Sequence, residues 1–212
     1  MKKLSVLIFT ICLLVLCGCD TASNETINTT DATQTTTVEL TTEEIYDKFL
    51  TKVCNKLDNI IVDDTHLDGF NTQKGMSGIA ELAKTGDTEL LKKYGYAIID
   101  TNADGVDELL IYQVDDPAAE KCTGTYILCA YTAYENEAVL LFEGTSENRY
   151  YYLNDKKFYN ETTAGEKAVY VLLADSITLD TETTVGDENS LIQKLELTSL
   201  DVFRNIKIAE NS

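Results

Sequence analysis

The sequence lacks residue types and motifs on which several common functions depend. It contains no tryptophan and a single histidine, His66. It has no nucleophile elbow, phosphate-binding loop or helix with paired metal ligands, so the residues give little support to catalysis. His66 lies in an acidic loop with Asp63, Asp64 and Asp68. A histidine in such a loop is expected to be solvated, although the three carboxylates could form a weak cation site.

Basic residues are also scarce. The chain has 17 Lys and Arg against 36 Asp and Glu, a formal net charge of −19 at pH 7. Nucleic acids and anionic lipids are therefore poor partners for its surface, because neutralising phosphates requires clustered Lys and Arg. We interpret the acidity as a source of solubility at a cell surface. A sharper interpretation is that the field concentrates divalent cations.

Cysteines are few in the part expected to fold. Of six, three precede residue 20, which leaves Cys54, Cys122 and Cys129. At most one disulfide can form within the domain, and no metal-ligand spacing such as C-x-x-C is present. Cys54 and Cys129 fit small core residues. Cys122 and Cys129 could pair across a bend at 123–124, which the sequence leaves open.

The N-terminus has the pattern of a bacterial lipoprotein signal. Two lysines, Lys2 and Lys3, precede an apolar run that ends in the lipobox Leu16-Cys17-Gly18-Cys19. Residues 1–18 are the predicted signal peptide, and Cys19 is the predicted diacylglyceryl cysteine. Two acyl chains on one residue give stable attachment to the extracytoplasmic face of the cell membrane. A plain secretory signal and an uncleaved anchor are the less favoured alternatives.

The remaining chain is predicted to comprise two parts. Residues 19–40 are rich in Thr and poor in large apolar residues, which indicates a disordered tether. Residues 41–212 have the length and apolar content of a single globular domain. The predicted fold class is α+β, with N-terminal helices packed on a meandering antiparallel β-sheet.

Three helices are predicted at the start of this domain. Thr41 to Glu44 has the form of a capping box, and apolar residues at helical spacing continue from Ile45 to about Asn59. A second short helix follows Met76, and a third is predicted from Asp87 to Gly95.

Seven strand-like runs come next, and they occupy the ranges 96–99, 108–114, 125–134, 139–143, 150–153, 157–159 and 169–179. The first two runs are predicted to form a hairpin. The apolar spacing of residues 190–208 fits either a helix or a final strand.

The loop of that hairpin is the one constellation that points to chemistry. It reads D-x-N-x-D-G-x-x-E, with oxygen-bearing side chains at Asp100, Asn102, Asp104 and Glu108 and a usable backbone carbonyl at Val106. Hard oxygen ligands of this kind suit Ca²⁺, and Gly105 permits the sharp turn. Position twelve of the loop is Ile111, so an EF-hand is not expected. An acidic, solvated turn is the simpler alternative.

This loop resembles the calcium-binding hairpin loop of integrin-type FG-GAP repeats, whose ninth position carries a carboxylate as Glu108 does. Residues 94–110 also look like a hairpin found in small surface lipoproteins of clostridia and their gut relatives, where a similar loop follows a helical N-terminal part. Arg149-Tyr150-Tyr151-Tyr152 echoes the same group. The resemblance implies a structural calcium site but carries over no activity.

The predicted function is a noncatalytic binding or accessory lipoprotein with a cell-wall glycan or protein partner. Tyr150, Tyr151 and Tyr152 are the candidate binding surface, since tyrosines on an exposed sheet face could stack on sugars or contact a protein. The lack of tryptophan weakens the carbohydrate version. The alternative function is a cell-envelope hydrolase, acting on glycosides or peptidoglycan with paired carboxylates.

Overall fold

The first predicted helix is present with its predicted cap. The computed structural model describes residues 39–62, 74–83, 89–119, 121–182 and 191–212, and α1 spans Thr42–Val62. At its start, Thr41 N donates to Glu44 Oε2 at 2.8 Å, and Glu44 N donates to Thr41 Oγ1 at 3.2 Å. These reciprocal bonds satisfy amides that the first helical turn leaves without partners.

Two further α-helices and one 3₁₀ turn complete the helical part of the described residues. Helix α2 spans Ser77–Ala83, and helix α3 spans Leu200–Glu210. The predicted third helix is wrong, because Leu90–Lys93 forms a 3₁₀ helix and the chain enters a strand at Tyr94. That strand buries Tyr94 and pairs Gly95, which outweighs local helix propensity. The predicted cap at Asp87 lies outside the described residues.

In the described ranges, nine strands form one sheet. They are β1 (Tyr94–Ile99), β2 (Glu108–Val114), β3 (Gly124–Tyr134), β4 (Glu137–Glu143), β5 (Asn148–Tyr152), β6 (Phe158–Thr162), β7 (Lys167–Leu173), β8 (Ser176–Leu179) and β9 (Thr198–Ser199). The order is β8-β7-β6-β5-β3-β2-β1-β9, with β4 also paired to β3. Every pairing is antiparallel. The predicted combination of helices with a large antiparallel sheet is confirmed.

Two of the predicted strand boundaries need correction. The run predicted from 169 to 179 is two strands, because the chain turns at Ala174 and Asp175, with Ala174 at a φ of 29°. For the C-terminal tail the sequence predicted either a helix or a final strand. The tail contains both, since the two residues of β9 lead directly into α3. Ser199 caps that helix by accepting a hydrogen bond from Val202 N at 3.2 Å.

The sheet is apolar on both faces around β2, which explains why this strand shows no polar alternation. Leu109 and Ile111 belong to one core cluster, which also contains buried residues of α1, α2 and α3. Leu110 and Tyr112, which alternate with them, belong to a second cluster with residues of β3 to β7. Successive side chains of a strand point to opposite faces, so β2 contributes to both clusters.

Polar contacts join the first helix to the last. Arg204 Nη1 lies 2.7 Å from Asp58 Oδ1, and Lys207 Nζ lies 2.6 Å from Asp47 Oδ2. Phe203 of α3 also packs against Tyr96 of β1 in a T-shaped arrangement, with ring centroids 5.9 Å apart. All described elements belong to one compact unit, Val38–Ser212. None of the described helices is both long enough and apolar enough to cross a membrane.

Candidate metal centre

The predicted motif forms the connection between β1 and β2. These strands pair from Tyr94 opposite Gln113 to Ile99 opposite Glu108, which leaves eight connecting residues, 100–107. Within them Ala103 has a φ of 66° and Gly105 a φ of 88°. A Cβ on Gly105 would meet nothing within 4 Å. The glycine is therefore required by its backbone conformation and not by lack of space.

Asp100 holds the loop in its curled shape. Its Oδ1 accepts hydrogen bonds from Ala103 N at 2.6 Å and Asn102 N at 3.3 Å, and its Oδ2 accepts from Gly105 N at 3.2 Å. Burial acts to raise the pKa of Asp100, but these three N–H donors outweigh it and hold the pKa below its ordinary value. The carboxylate is thus kept ionised at the centre of the loop.

Asn102 and Asp104 form a second set of short-range bonds. Asp104 N donates to Asn102 Oδ1 at 3.0 Å, Asn102 Nδ2 donates to Asp104 Oδ2 at 2.8 Å, and Val106 N donates to Asp104 Oδ1 at 2.8 Å. In the first and third of these bonds, an Asn or Asp side chain accepts from the backbone N–H two residues further on, which is typical of Asx turns. The three predicted ligand positions Asp100, Asn102 and Asp104 are therefore linked to one another and to the backbone.

Glu108 differs from these residues because it is fully buried. Its Oε2 accepts hydrogen bonds from Thr101 N at 2.9 Å and from Thr101 Oγ1 at 2.5 Å, whereas its Oε1 has no partner among the described residues. Burial raises the pKa of Glu108, and the negative charges of Asp104 and Asp100 add to this effect. The site therefore contains a buried carboxylate oxygen without compensation.

Two side chains from distant parts of the chain fix the ends of the loop. Tyr46 Oη, from α1, donates to the Asp107 carbonyl at 2.7 Å and to the Tyr131 carbonyl at 3.3 Å. Lys156 Nζ donates to the Asp100 carbonyl at 3.3 Å. Burial raises the pKa of Tyr46, and the charge of Glu108 adds to it, so the hydroxyl keeps its proton.

The five predicted ligand positions are thus on one loop, but the structure groups them unequally. Asp100, Asn102 and Asp104 bond within the loop, Glu108 lies buried beneath it, and Val106 is 37% exposed. In the described part of the chain, no three His, Cys, Asp or Glu side chains form a group placed to hold a metal ion. This absence concerns His, Cys, Asp and Glu side chains only. It therefore does not cover the Asn102 side chain or the Val106 carbonyl, which are also predicted ligands.

Sequence reasoning missed Thr101, whose side chain is fully buried and bonds to Glu108. The available signal was its hydroxyl at the second loop position, but the bond depends on the register that places residue 108 across from residue 99. Tyr46 and Lys156 were also missed. They approach the loop from positions far along the chain, and no local pattern marks them.

The predicted tyrosine surface is wrong for β5. Tyr150 and Tyr152 are buried, with 9% and 4% exposure, and they pack with Phe142 and Phe158. Tyr151, on the other face, is half-buried and stacks on Tyr159 with ring centroids 5.8 Å apart. Since two of the three tyrosines are buried and the third is half-buried, the three residues form no exposed patch.

Cys54 and Cys129 behave as the small core residues that were expected, and the disulfide between Cys122 and Cys129 that the sequence left open is not formed. Cys54 and Cys129 are buried, and Cys122 is half-buried; all three are unpaired. Burial raises the pKa of the Cys54 thiol to about 12, so it is not an activated nucleophile. The signal peptide, Cys19, residues 19–38 of the predicted tether and the loop around His66 lie outside the described residues.

Comparisons of the chain with protein-family models, with curated proteins and with solved structures give no match.

Proposed function

We propose that the Asp100–Glu108 loop binds Ca²⁺ as a structural ion. Asp100, Asn102, Asp104 and Glu108 would supply side-chain oxygens, and Val106 would supply a backbone carbonyl. Oxygen ligands at alternate positions of a loop with a glycine turn suit a hard cation. The ion would neutralise three carboxylates that otherwise repel one another across a short loop.

The observation that carries this proposal is the unpaired Oε1 of Glu108. A buried carboxylate oxygen without a partner costs free energy, and a hairpin turn does not need one. The Thr101 bonds hold the Glu108 carboxylate against the loop by its other oxygen. A cation bound at the loop would offset the cost at Oε1 and the repulsion from Asp100 and Asp104 that raises the pKa of Glu108.

The proposal predicts saturable calcium binding that stabilises the fold. Isothermal titration calorimetry should give a Kd on the order of 10⁻⁴ to 10⁻³ M, the range of extracellular calcium modules. Calcium should raise the melting temperature, and Asp104→Ala should abolish both the heat of binding and this shift. A chain that melts at the same temperature in calcium and in EGTA would refute the proposal.

Asp116→Ala is the matched control. Asp116 is an exposed turn residue whose Oδ1 accepts a hydrogen bond from Ala118 N at 2.9 Å, so its loss removes the same charge and the same kind of turn bond. It should bind calcium as the unaltered chain does. Equal losses in both variants would mean that calcium responds only to the overall negative charge.

We further propose that the protein is a lipoprotein anchored through Cys19 to the extracytoplasmic face of the cell membrane. Its relationship to small clostridial-type surface lipoproteins and its role as a noncatalytic binding or accessory protein belong to the same proposal. The lipobox and the Thr-rich segment after it support the anchor. Cys19→Ala should stop lipidation and leave the membrane fraction, while Cys17→Ala should remain anchored. A Cys19→Ala protein that is processed normally and stays in the membrane fraction would contradict the anchor.

The packing of the helical segment on the sheet is part of this proposal too. The hydroxyl of Tyr46 in α1 reaches the end of the hairpin loop, and Val53 and Leu57 of α1 share a core cluster with Leu109 and Ile111. These contacts support a helix that serves as a platform beneath the calcium loop.

A further inference from the structure

A groove with an unusual charge lies apart from the acidic loop. It has a volume of about 420 Å³ and is bounded by α1, by residues 74–76 before α2, and by the β3–β4 hairpin. Apolar side chains line it, among them Phe49, Tyr131 and Leu140. The Phe49 and Tyr131 rings pack together with centroids 4.3 Å apart, which fixes the apolar part of the lining.

Three exposed lysines, Lys48, Lys52 and Lys74, border this groove. Lys48 and Lys52 are four residues apart on α1 and therefore lie on one face of the helix, the same spacing at which like charges repel. In a chain with 17 basic residues and a net charge of −19, this is a concentration of positive charge. Glu137 is the only acidic residue among the described lining residues.

The three lysines also differ from other lysines in the described ranges. Lys121, Lys157 and Lys194 each form a salt bridge, whereas no described carboxylate lies within 4.0 Å of the groove lysines. Three ammonium groups around one apolar groove, against a single carboxylate among the described lining residues, favour an anion that comes from outside the chain.

From this arrangement we infer that the groove binds a small organic anion with an apolar body. The acidic group, a carboxylate, sulfonate or phosphate, would contact the lysines, and the apolar body would cover Phe49, Tyr131 and Leu140. The volume lies in the range of small-molecule sites, which combine apolar walls with a few convergent polar groups. This function is additional to calcium binding and does not depend on it.

A fluorescence titration with 8-anilinonaphthalene-1-sulfonate tests the inference. N-phenyl-1-naphthylamine, which has the same aromatic body without the sulfonate, is the comparison probe. The sulfonate should bind saturably at one site and about tenfold more tightly than the neutral probe, a difference of about 1.4 kcal/mol. Equal affinity for the two probes, or no saturable binding of the sulfonate, would overturn the inference.

Paired variants locate the site. Lys52→Gln with Lys74→Gln should raise the Kd for the sulfonate about tenfold, since two charge-assisted contacts are lost. Lys52→Arg with Lys74→Arg should keep the affinity. Lys121→Gln with Lys194→Gln removes the same charge elsewhere and should leave the Kd unchanged. Equal weakening by both Gln pairs would show attraction to overall charge and would refute a site in the groove.

Two controls separate this result from others. All six substitutions are at exposed or salt-bridged surface lysines, so circular dichroism and melting temperature should match those of the unaltered chain. Lys48→Gln replaces a groove pair that does not match, and Lys121→Gln alone replaces the control pair if that pair does not. The titration is repeated with Asp104→Ala, which should bind the sulfonate as before. Loss of calcium binding and loss of anion binding are thereby measured in different variants.

Discussion

Two hairpins of the same sheet reverse the chain in very different ways. Between β3 and β4, Tyr134 pairs with Glu137, so only Glu135 and Asn136 form the turn. Both have positive φ values, 47° and 65°, as a type I′ turn requires. Between β1 and β2 the same reversal takes eight residues and a network of side-chain bonds. Chain reversal alone therefore does not explain the longer loop.

The residue that follows each turn sharpens the contrast. Glu137 begins β4 and is exposed, whereas Glu108 begins β2 and is fully buried. A glutamate at the first strand position after the turn is thus solvated in one hairpin, as Glu137, and buried against the loop in the other, as Glu108. The difference lies in what the side chain bonds to and not in the strand that carries it.

The largest expected effect comes from Glu108→Ala. The change leaves Thr101 N and Oγ1 buried without their acceptor, and we expect it to lower the free energy of unfolding by about 2 to 4 kcal/mol. Glu137→Ala, at the matching position, should change it by less than about 0.5 kcal/mol. Urea denaturation of both variants makes the measurement. Similar losses would remove the distinction between the two hairpins.

A smaller effect is expected from Gly105→Ala. Its φ of 88° is strained for any residue with a Cβ, although the added atom itself has open space. The expected loss is about 1 to 2 kcal/mol. Gly165→Ala, at a φ of 85° and with equally open space, is the control, since it should lose the same amount without altering calcium affinity. If Gly105→Ala alters neither stability nor calcium affinity, the loop is not held in its curled form.

The smallest expected effect is a change in how the free energy of unfolding depends on pH when Glu108 is replaced by Gln. The folded-state pKa of Glu108 is raised, so the folded chain binds this proton more tightly than the unfolded chain does. Stability from this group is present below the ordinary carboxyl pKa of 4.5 and is lost as the pH rises through the higher folded value. In EGTA, Glu108→Gln should therefore lose less stability than the unaltered chain over that window. Calcium should shrink the difference, because it favours the ionised carboxylate. Parallel profiles in EGTA would show that Glu108 titrates as it does in the unfolded chain.

Sequence reasoning succeeded where the determining interactions are local. The capping box at Thr41 and Glu44 spans four residues, and the β1–β2 hairpin joins neighbouring apolar runs. Both can be predicted because the partners are close in the chain and their spacing sets the geometry.

Sequence reasoning failed where contacts between distant segments decide which side chains are buried. Tyr150 and Tyr152 are buried because they pack with Phe142 of β4 and Phe158 of β6, in a cluster that draws side chains from several strands. The clamp of Thr101 on Glu108 and the Tyr46 contact depend on strand register and on the position of a helix. Neither strand register nor helix position can be predicted from a local sequence pattern. The loop could therefore be predicted, but the buried contacts of Thr101, Glu108 and Tyr46 could not.

The pairing of the first helix with the last has a consequence for the order in which the parts of the chain fold. The salt bridges of Asp47 with Lys207 and of Asp58 with Arg204 each join residues more than 100 positions apart. The pairing of β1 with β9 also spans more than 100 residues. Contacts of such long sequence separation form late, because closing the intervening chain costs entropy first. Until residues 198–210 join the fold, one edge of the sheet and one side of α1 stay open, a state suited to recognition by chaperones.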